Sequence, residues 1–134
     1  MNRKRPIICV DFDGVIHSYT SGWKGVGTVS DLPMRGAIKW LQEYLDCPDS
    51  LCSMAPLSQI QIVIYSSRSR TRKGRRAMRK WFAKYLGREY LEVLKFPRKK
   101  PPAFLTIDDR AICFKGQFPS LTEMLDFRSY KEKP

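Results

Sequence analysis

Ile7-Ile8-Cys9-Val10-Asp11-Phe12-Asp13-Gly14-Val15 is the stretch on which the fold reading turns. An apolar run this short and unbroken predicts a strand over residues 7–12, of the kind buried on both faces at the centre of a parallel sheet. Two carboxylates at its C-terminal end are poor packing groups and good ligands for metal and phosphate chemistry. On extended backbone, Asp11 and Asp13 would point to the same side. Gly14 instead permits a sharp turn, which could bring a main-chain carbonyl and one carboxylate around a single cation. A polar Asx turn that merely ends the strand is the other reading of the same residues.

The chain on either side of this stretch alternates strand and helix signals. Residues 17–35, with Gly22, Gly25 and Gly27, predict a mobile hairpin or flap directly after the acidic pair. Ala37, Ile38, Leu41 and Leu45 recur at helical spacing and predict a helix over 36–46, followed by a loop over 47–58 that holds Pro48 and Pro56. Ile60 to Tyr65 is a β-branched strand ending at Ser66-Ser67-Arg68. Met78, Trp81, Phe82 and Tyr85 give a second helix from about Gly74 to Leu86, with an opposite face of Arg75, Arg76, Arg79, Lys80 and Lys84. That pattern predicts a buried aromatic stripe and an exposed basic one.

Strands are further expected at Leu91–Phe96 and at Ala103–Ile107, the latter running into Asp108-Asp109-Arg110. Pro119-Ser120 followed by Glu123 reads as a capping box that opens a short last helix, and the polar tail from Arg128 is expected to fray. Alternating elements of this kind predict an α/β fold with a doubly wound parallel sheet. In such sheets ligands bind beyond the carboxyl ends of the strands. One edge would then gather Asp11 and Asp13, Ser66 and Arg68, and Asp108 and Asp109.

The chain has 134 residues, which fits a single domain over 1–134 able to bury a core without disulfide staples. Its hydrophobic fraction of 43% excludes a disordered chain, and no run approaches the roughly 18 apolar residues of a membrane span. The basic start, Met1 to Arg5, lacks the apolar length of a secretory signal. Cys9, Cys47, Cys52 and Cys113 show no metal-ligand spacing, with Cys9 and Cys113 in apolar, packing-type contexts, so a cytoplasmic setting is the expectation. Lys and Arg outnumber Asp and Glu by 25 to 13, a net charge of +12 that would attract nucleic acid, an anionic membrane surface or phosphorylated substrates. A basic face that only solvates the protein is the plainer account of the same charge.

Four acids and a hydroxyl at one sheet edge would repel one another unless a cation joined them, and an oxygen-only donor set favours Mg²⁺. Asp11-Phe12-Asp13-Gly14-Val15, the strand-terminal Ser66, Lys100 and Asp108-Asp109, in this order, resemble the four motifs of the haloacid dehalogenase-like (HAD) phosphohydrolases. The match runs from residue 7 to about 110. It implies a three-layer, doubly wound Rossmannoid fold with a minimal cap or none. It also implies a catalytic set of Asp11 as nucleophile, Asp13 as general acid and base, Ser66 bonded to the phosphoryl group and Lys100 stabilising both. The implied Mg²⁺ shell is Asp11, the Asp13 carbonyl and Asp109, supported by Asp108. Lys95 and Lys99 compete with Lys100, which is chosen because Lys100-Pro101-Pro102-Ala103 leads into the strand before the Asp pair. Ser67 and Arg68 are the candidate substrate-binding groups, with a surface role for Arg68 as the alternative. His17 and Trp23 fall in the flap: a flap or packing role is the simpler one for His17, whereas Trp23 reads equally as a gate or stacking surface and as a packing residue.

Ser66-Ser67-Arg68 and Ile107-Asp108-Asp109-Arg110 are similar to the phosphatase domain of polynucleotide kinase-phosphatases, which act on 3′-phosphorylated nucleic acid ends. Asp13-Gly14-Val15 with Asp108-Asp109-Arg110 is also similar to the 5′(3′)-deoxyribonucleotidases. No kinase P-loop is present, and the stretch from Asp13 to Tyr65 leaves little room for a helical cap, so the expected site is open to a large substrate. Free nucleotides or another small phosphate ester are the alternative substrates. A non-catalytic nucleic-acid-binding module on the same fold is the alternative of a different class.

Overall fold

The β-branched runs become three strands of one parallel sheet in the computed structural model, which describes residues 5–45 and 60–129. β1 (Ile7–Val10) is central, β2 (Gln61–Ile64) lies on one side and β3 (Leu105–Ile107) on the other. Ile8 pairs with Ile62 and Leu105, and Val10 with Ile64 and Ile107. Because all three strands run the same way and in this register, Asp11, Tyr65 and Asp108 leave the sheet at one edge. The architecture is α/β with a small parallel sheet.

The helices are α1 (Ala37–Leu45), α2 (Arg72–Tyr85) and α3 (Leu121–Leu125), with 3₁₀ turns at Ser67–Arg70 and Arg88–Glu92. Thr71 Oγ1 accepts the Gly74 N–H, which starts α2 two residues before the expected Gly74. Gly74 is then required for a different reason: a Cβ there would run into the Arg68 carbonyl. Ser120 caps α3 by accepting the Glu123 N–H at 3.1 Å.

One apolar cluster joins alternate residues of β1 and β2, among them Ile8, Val10, Ile62 and Ile64, to Leu41 of α1 and Met78, Trp81 and Phe82 of α2. Phe12 continues the β1 alternation into that cluster, edge-on to Trp81 with ring centres 5.1 Å apart. Each such side chain contributes about 1.5–3 kcal/mol on burial. The basic face of α2 stays outside, as the helical period requires.

Three expectations are corrected. Residues 91–96 are not a strand: Tyr90 and Leu94, four apart, are both buried, and the Leu94 N–H bonds to the Tyr90 carbonyl, so a helical turn satisfies their burial where extended chain could not. Only Lys95 reaches the sheet, its carbonyl accepting the Ile64 N–H at 2.9 Å. Cys113 is exposed while Cys9 is buried, because the chain after β3 contributes nothing to the apolar cluster. In the tail expected to fray from Arg128, Ser129 is buried, and residues 130–134 lie outside the described residues. The predicted loop 47–58, with Cys47 and Cys52, lies outside the described residues. No helix among the described residues is long and apolar enough to cross a membrane.

Candidate functional site

Parallel pairing sets the acids. The Asp11 N–H donates to the Ile107 carbonyl at 2.9 Å, so β1 and β3 end together and bring their terminal carboxylates to one place. Asp11, Asp108 and Asp109 each offer a carboxylate oxygen, all within 4.8 Å of one another. At an effective dielectric near 20, charges that close repel by roughly 3 kcal/mol per pair. Burial, then Asp108, then Asp109 and Asp13 push the Asp11 carboxyl up to about 7, against the opposing Phe12 N–H. Burial and Asp108 raise Asp109 as well. The donor set is oxygen only and short of positive charge, which fits Mg²⁺. Gly14, at φ +85°, makes the approach possible: a Cβ there would sit 2.5 Å from Asp109 Oδ2.

The turn after Asp13 sends its carboxylate away from that cluster. The Phe12 carbonyl accepts the N–H groups of Val15, Ile16 and His17, which folds His17 back onto Asp13. His17 is buried, stacked on Phe12 at 5.2 Å. Its Nε2 accepts the Asp31 N–H at 3.1 Å, so the ring proton sits on Nδ1 and is donated to Asp13 Oδ1 at 2.8 Å. Arg68 Nε donates to Asp13 Oδ2 at 2.9 Å. Both oxygens of Asp13 are thus fixed, each with a lone pair to spare.

Arg68 is not arranged as an open phosphate clamp. It is 0% exposed, and its Nη1 donates to the Gly25 and Val26 carbonyls, both at 2.9 Å. Trp23 lies over the guanidinium, 4.6 Å from its ring centre. The flap is therefore fastened to the Asp13 side of the site. Ser21 anchors it further through Asp31, whose carboxyl it holds below the usual range by donating both its hydroxyl and its amide, and Trp81 Nε1 donates to the Asp31 carbonyl at 2.9 Å. Arg68 Nη2 is buried with no hydrogen-bond partner.

Asp11, Asp13, Ser66, Ser67, Asp108 and Asp109 all line one cavity of about 710 Å³, under Trp23. A smaller cavity of about 150 Å³ beside it brings Lys100 together with Asp11, Ser66, Ser67 and Asp108, whereas Lys95 and Lys99 line neither. Ser66 Oγ accepts the Arg68 N–H at 3.1 Å and points its proton at Met78 Sδ, 3.6 Å away, a weak acceptor that a stronger one would displace. Ser67 is exposed at the mouth.

His17 was read as a flap or packing residue, while Asp31, which holds Ser21 and His17, and Ser129, which lines the larger cavity, were not singled out by sequence reasoning. A histidine four residues after Asp13, behind a glycine that turns the chain, was a usable signal for the first; nothing local marks the other two. No family model, no curated protein and no solved structure matches this chain.

Proposed function

We propose that this chain is an Mg²⁺-dependent phosphomonoester hydrolase that works through an aspartyl-phosphate on Asp11. The observation that carries the reading is the meeting, at one sheet edge, of three carboxylates within 4.8 Å with a lysine and two serines beside them. Asp11, Asp108 and Asp109, with the Asp13 carbonyl, would hold the ion. When bound, it would supply positive charge to the phosphoryl oxygens and to the crowded carboxylates.

An Asp11 oxygen attacks phosphorus as the ester oxygen leaves, taking a proton from the Asp13 carboxyl. Water then attacks the acyl phosphate, gives its proton back to Asp13 and releases inorganic phosphate and free Asp11. His17 and Arg68 keep the Asp13 side chain in place through both steps, each leaving its oxygen a lone pair for the proton. Lys100 and the Ser66 hydroxyl meet the charge that develops on the transferring group. On this reading the sheet is the centre of a single three-layer HAD-like domain with almost no cap, working in the cytoplasm.

Phosphorylated nucleic acid ends are the favoured substrate. The net charge of +12 supports a large polyanion over a small ester, and so does a cavity lined on one side by flap residues Tyr19 to Trp23. Phosphate release from a 3′-phosphorylated oligonucleotide, beside a panel of mononucleotides and with or without Mg²⁺, tests this. Faster turnover of the oligonucleotide is expected; preference for mononucleotides would move the substrate to the nucleotide class, and Mg²⁺-independent binding without any release would make the chain a binding module.

A further inference from the structure

A second concavity, lined by α2 and the 3₁₀ turn after it, shares no residue with the two cavities above, and the chemistry there does not use it. Its volume is about 640 Å³. Arg72, Arg75, Arg76, Arg79 and Lys80 of α2 line it, and Arg88 of the following 3₁₀ turn faces them. Positions 72, 75, 76, 79 and 80 share one helical face, so the cations are stacked at about 5.4 Å per turn.

Two of them are held without being neutralised. Arg75 Nη1 donates to the Ser69 carbonyl at 2.7 Å, and the Arg79 guanidinium lies 5.1 Å from the ring centre of Phe96. Among the described residues no carboxylate forms an ion pair with any of the six, although Glu89 and Glu92 share the turn with Arg88. Like charges at this spacing cost a few tenths of a kcal/mol per pair, a cost that a polyanion would offset. The first lining residue, Arg72, comes two positions after the turn that succeeds Ser66, and Arg75 is bonded to that turn directly.

We infer that this groove is a binding site for the phosphate backbone of a nucleic acid strand. An anionic membrane fits the charge but not the surface, because Met78, Trp81 and Phe82 of α2 are buried, and the apolar residues that line the groove, Ala83, Leu91 and Phe96, are buried or half-buried between the cations and do not project as a wedge to insert into lipid. Binding here requires neither Asp11 nor a metal, so the site goes beyond the hydrolase reading and stands or falls separately from it.

The test uses the whole chain in EDTA and a labelled oligonucleotide with hydroxyls at both ends, which offers the hydrolytic site no terminal phosphate. Fluorescence anisotropy should give a log K against log salt slope of about −0.7 for each phosphate contact, or roughly −3 to −4 in all. The variant Arg76→Gln/Lys80→Gln/Arg88→Gln changes only exposed side chains. It should bind at least tenfold more weakly and flatten the slope by about 2, with circular dichroism unchanged and, in a separate assay in Mg²⁺, turnover of p-nitrophenyl phosphate unchanged. An unaltered slope and affinity in the variant would overturn the inference. So would binding of the wild type to phosphatidylserine vesicles but not to the oligonucleotide. Loss of p-nitrophenyl phosphate turnover in the wild type would count against the hydrolase and leave the groove standing.

Discussion

The two flanks of β1 are built differently. On the β2 flank, Ile62, Val63 and Ile64 are buried, and so are the polar residues that follow them, Ser66, Arg68 and Ser69. On the β3 flank, Leu105 and Thr106 are exposed, and beyond them Phe104 is 80% and Phe118 87% exposed. The flank that holds Asp13 is thus overdetermined by packing and by a closed hydrogen-bond network. The flank that carries Asp108 and Asp109 is held mainly by its pairing with β1. A cation bridging Asp11 to Asp108 and Asp109 would tie the lightly held flank to the firm one, so that, on the proposed function, binding it would stabilise the fold as well as serve the chemistry.

The comparison can be broken most forcefully at Arg68. Arg68→Met removes the guanidinium paired with Asp13 and leaves the Gly25 and Val26 carbonyls without their donor, so urea unfolding should show a loss of about 3–5 kcal/mol. A loss under 1 kcal/mol would mean that the firm flank does not depend on this network.

The acid cluster gives the next effect. Asp11 titrates at about 7 in the folded chain against an ordinary 3.8, so between those values the folded state holds a proton that the unfolded state has lost. The stability this contributes is complete below about pH 4 and is lost as pH rises through 7, by an amount on the order of 4 kcal/mol. Thermal unfolding in EDTA should show Tm falling across that window, and saturating Mg²⁺ should reverse the fall at pH 7 and above, where Asp11 is ionised. Mg²⁺ at 100 times its Kd would return about 2.7 kcal/mol. Asp109→Asn should blunt both responses.

Gly14→Ala is a smaller perturbation placed where the flanks meet. Its positive φ costs a side chain about 1–3 kcal/mol, and its Cβ would press on Asp109 Oδ2. Mg²⁺ affinity, read by the Tm shift, should fall further than the change in stability alone accounts for. At the small end, Phe118→Ser should alter stability by no more than about 0.5 kcal/mol, in contrast to the 2–5 kcal/mol expected for Ile64→Ala on the buried flank.

What the sequence disclosed follows the same division. Strands with unbroken β-branched runs, 7–10 and 61–64, and the helix with a period-3.6 aromatic stripe were legible because burial on a fixed face leaves a periodic trace. The acids at the ends of β1 and β3 were legible because a carboxylate pair after an apolar run has few structural uses. Leu91–Phe96 misled because a short apolar stretch with Val93 and Phe96 suits a strand as well as a helical turn, while the contact that decided its shape, burial of Tyr90 with Leu94, is tertiary. Arg68 was visible as a cation near the site, but its direction depends on two carbonyls more than 40 residues earlier. No local pattern encodes that. His17 was discounted as a flap residue, whereas the turn at Gly14 makes it a partner of Asp13.

The central claim is that Asp11 attacks phosphorus. It is tested most directly by comparing phosphate release from a 3′-phosphorylated oligonucleotide, in Mg²⁺, by the wild type and by Asp11→Asn. The account predicts Mg²⁺-dependent release by the wild type and a loss of at least a thousandfold in the variant, which keeps the shape of the side chain and removes its charge. Release by Asp11→Asn within tenfold of the wild-type rate would contradict it.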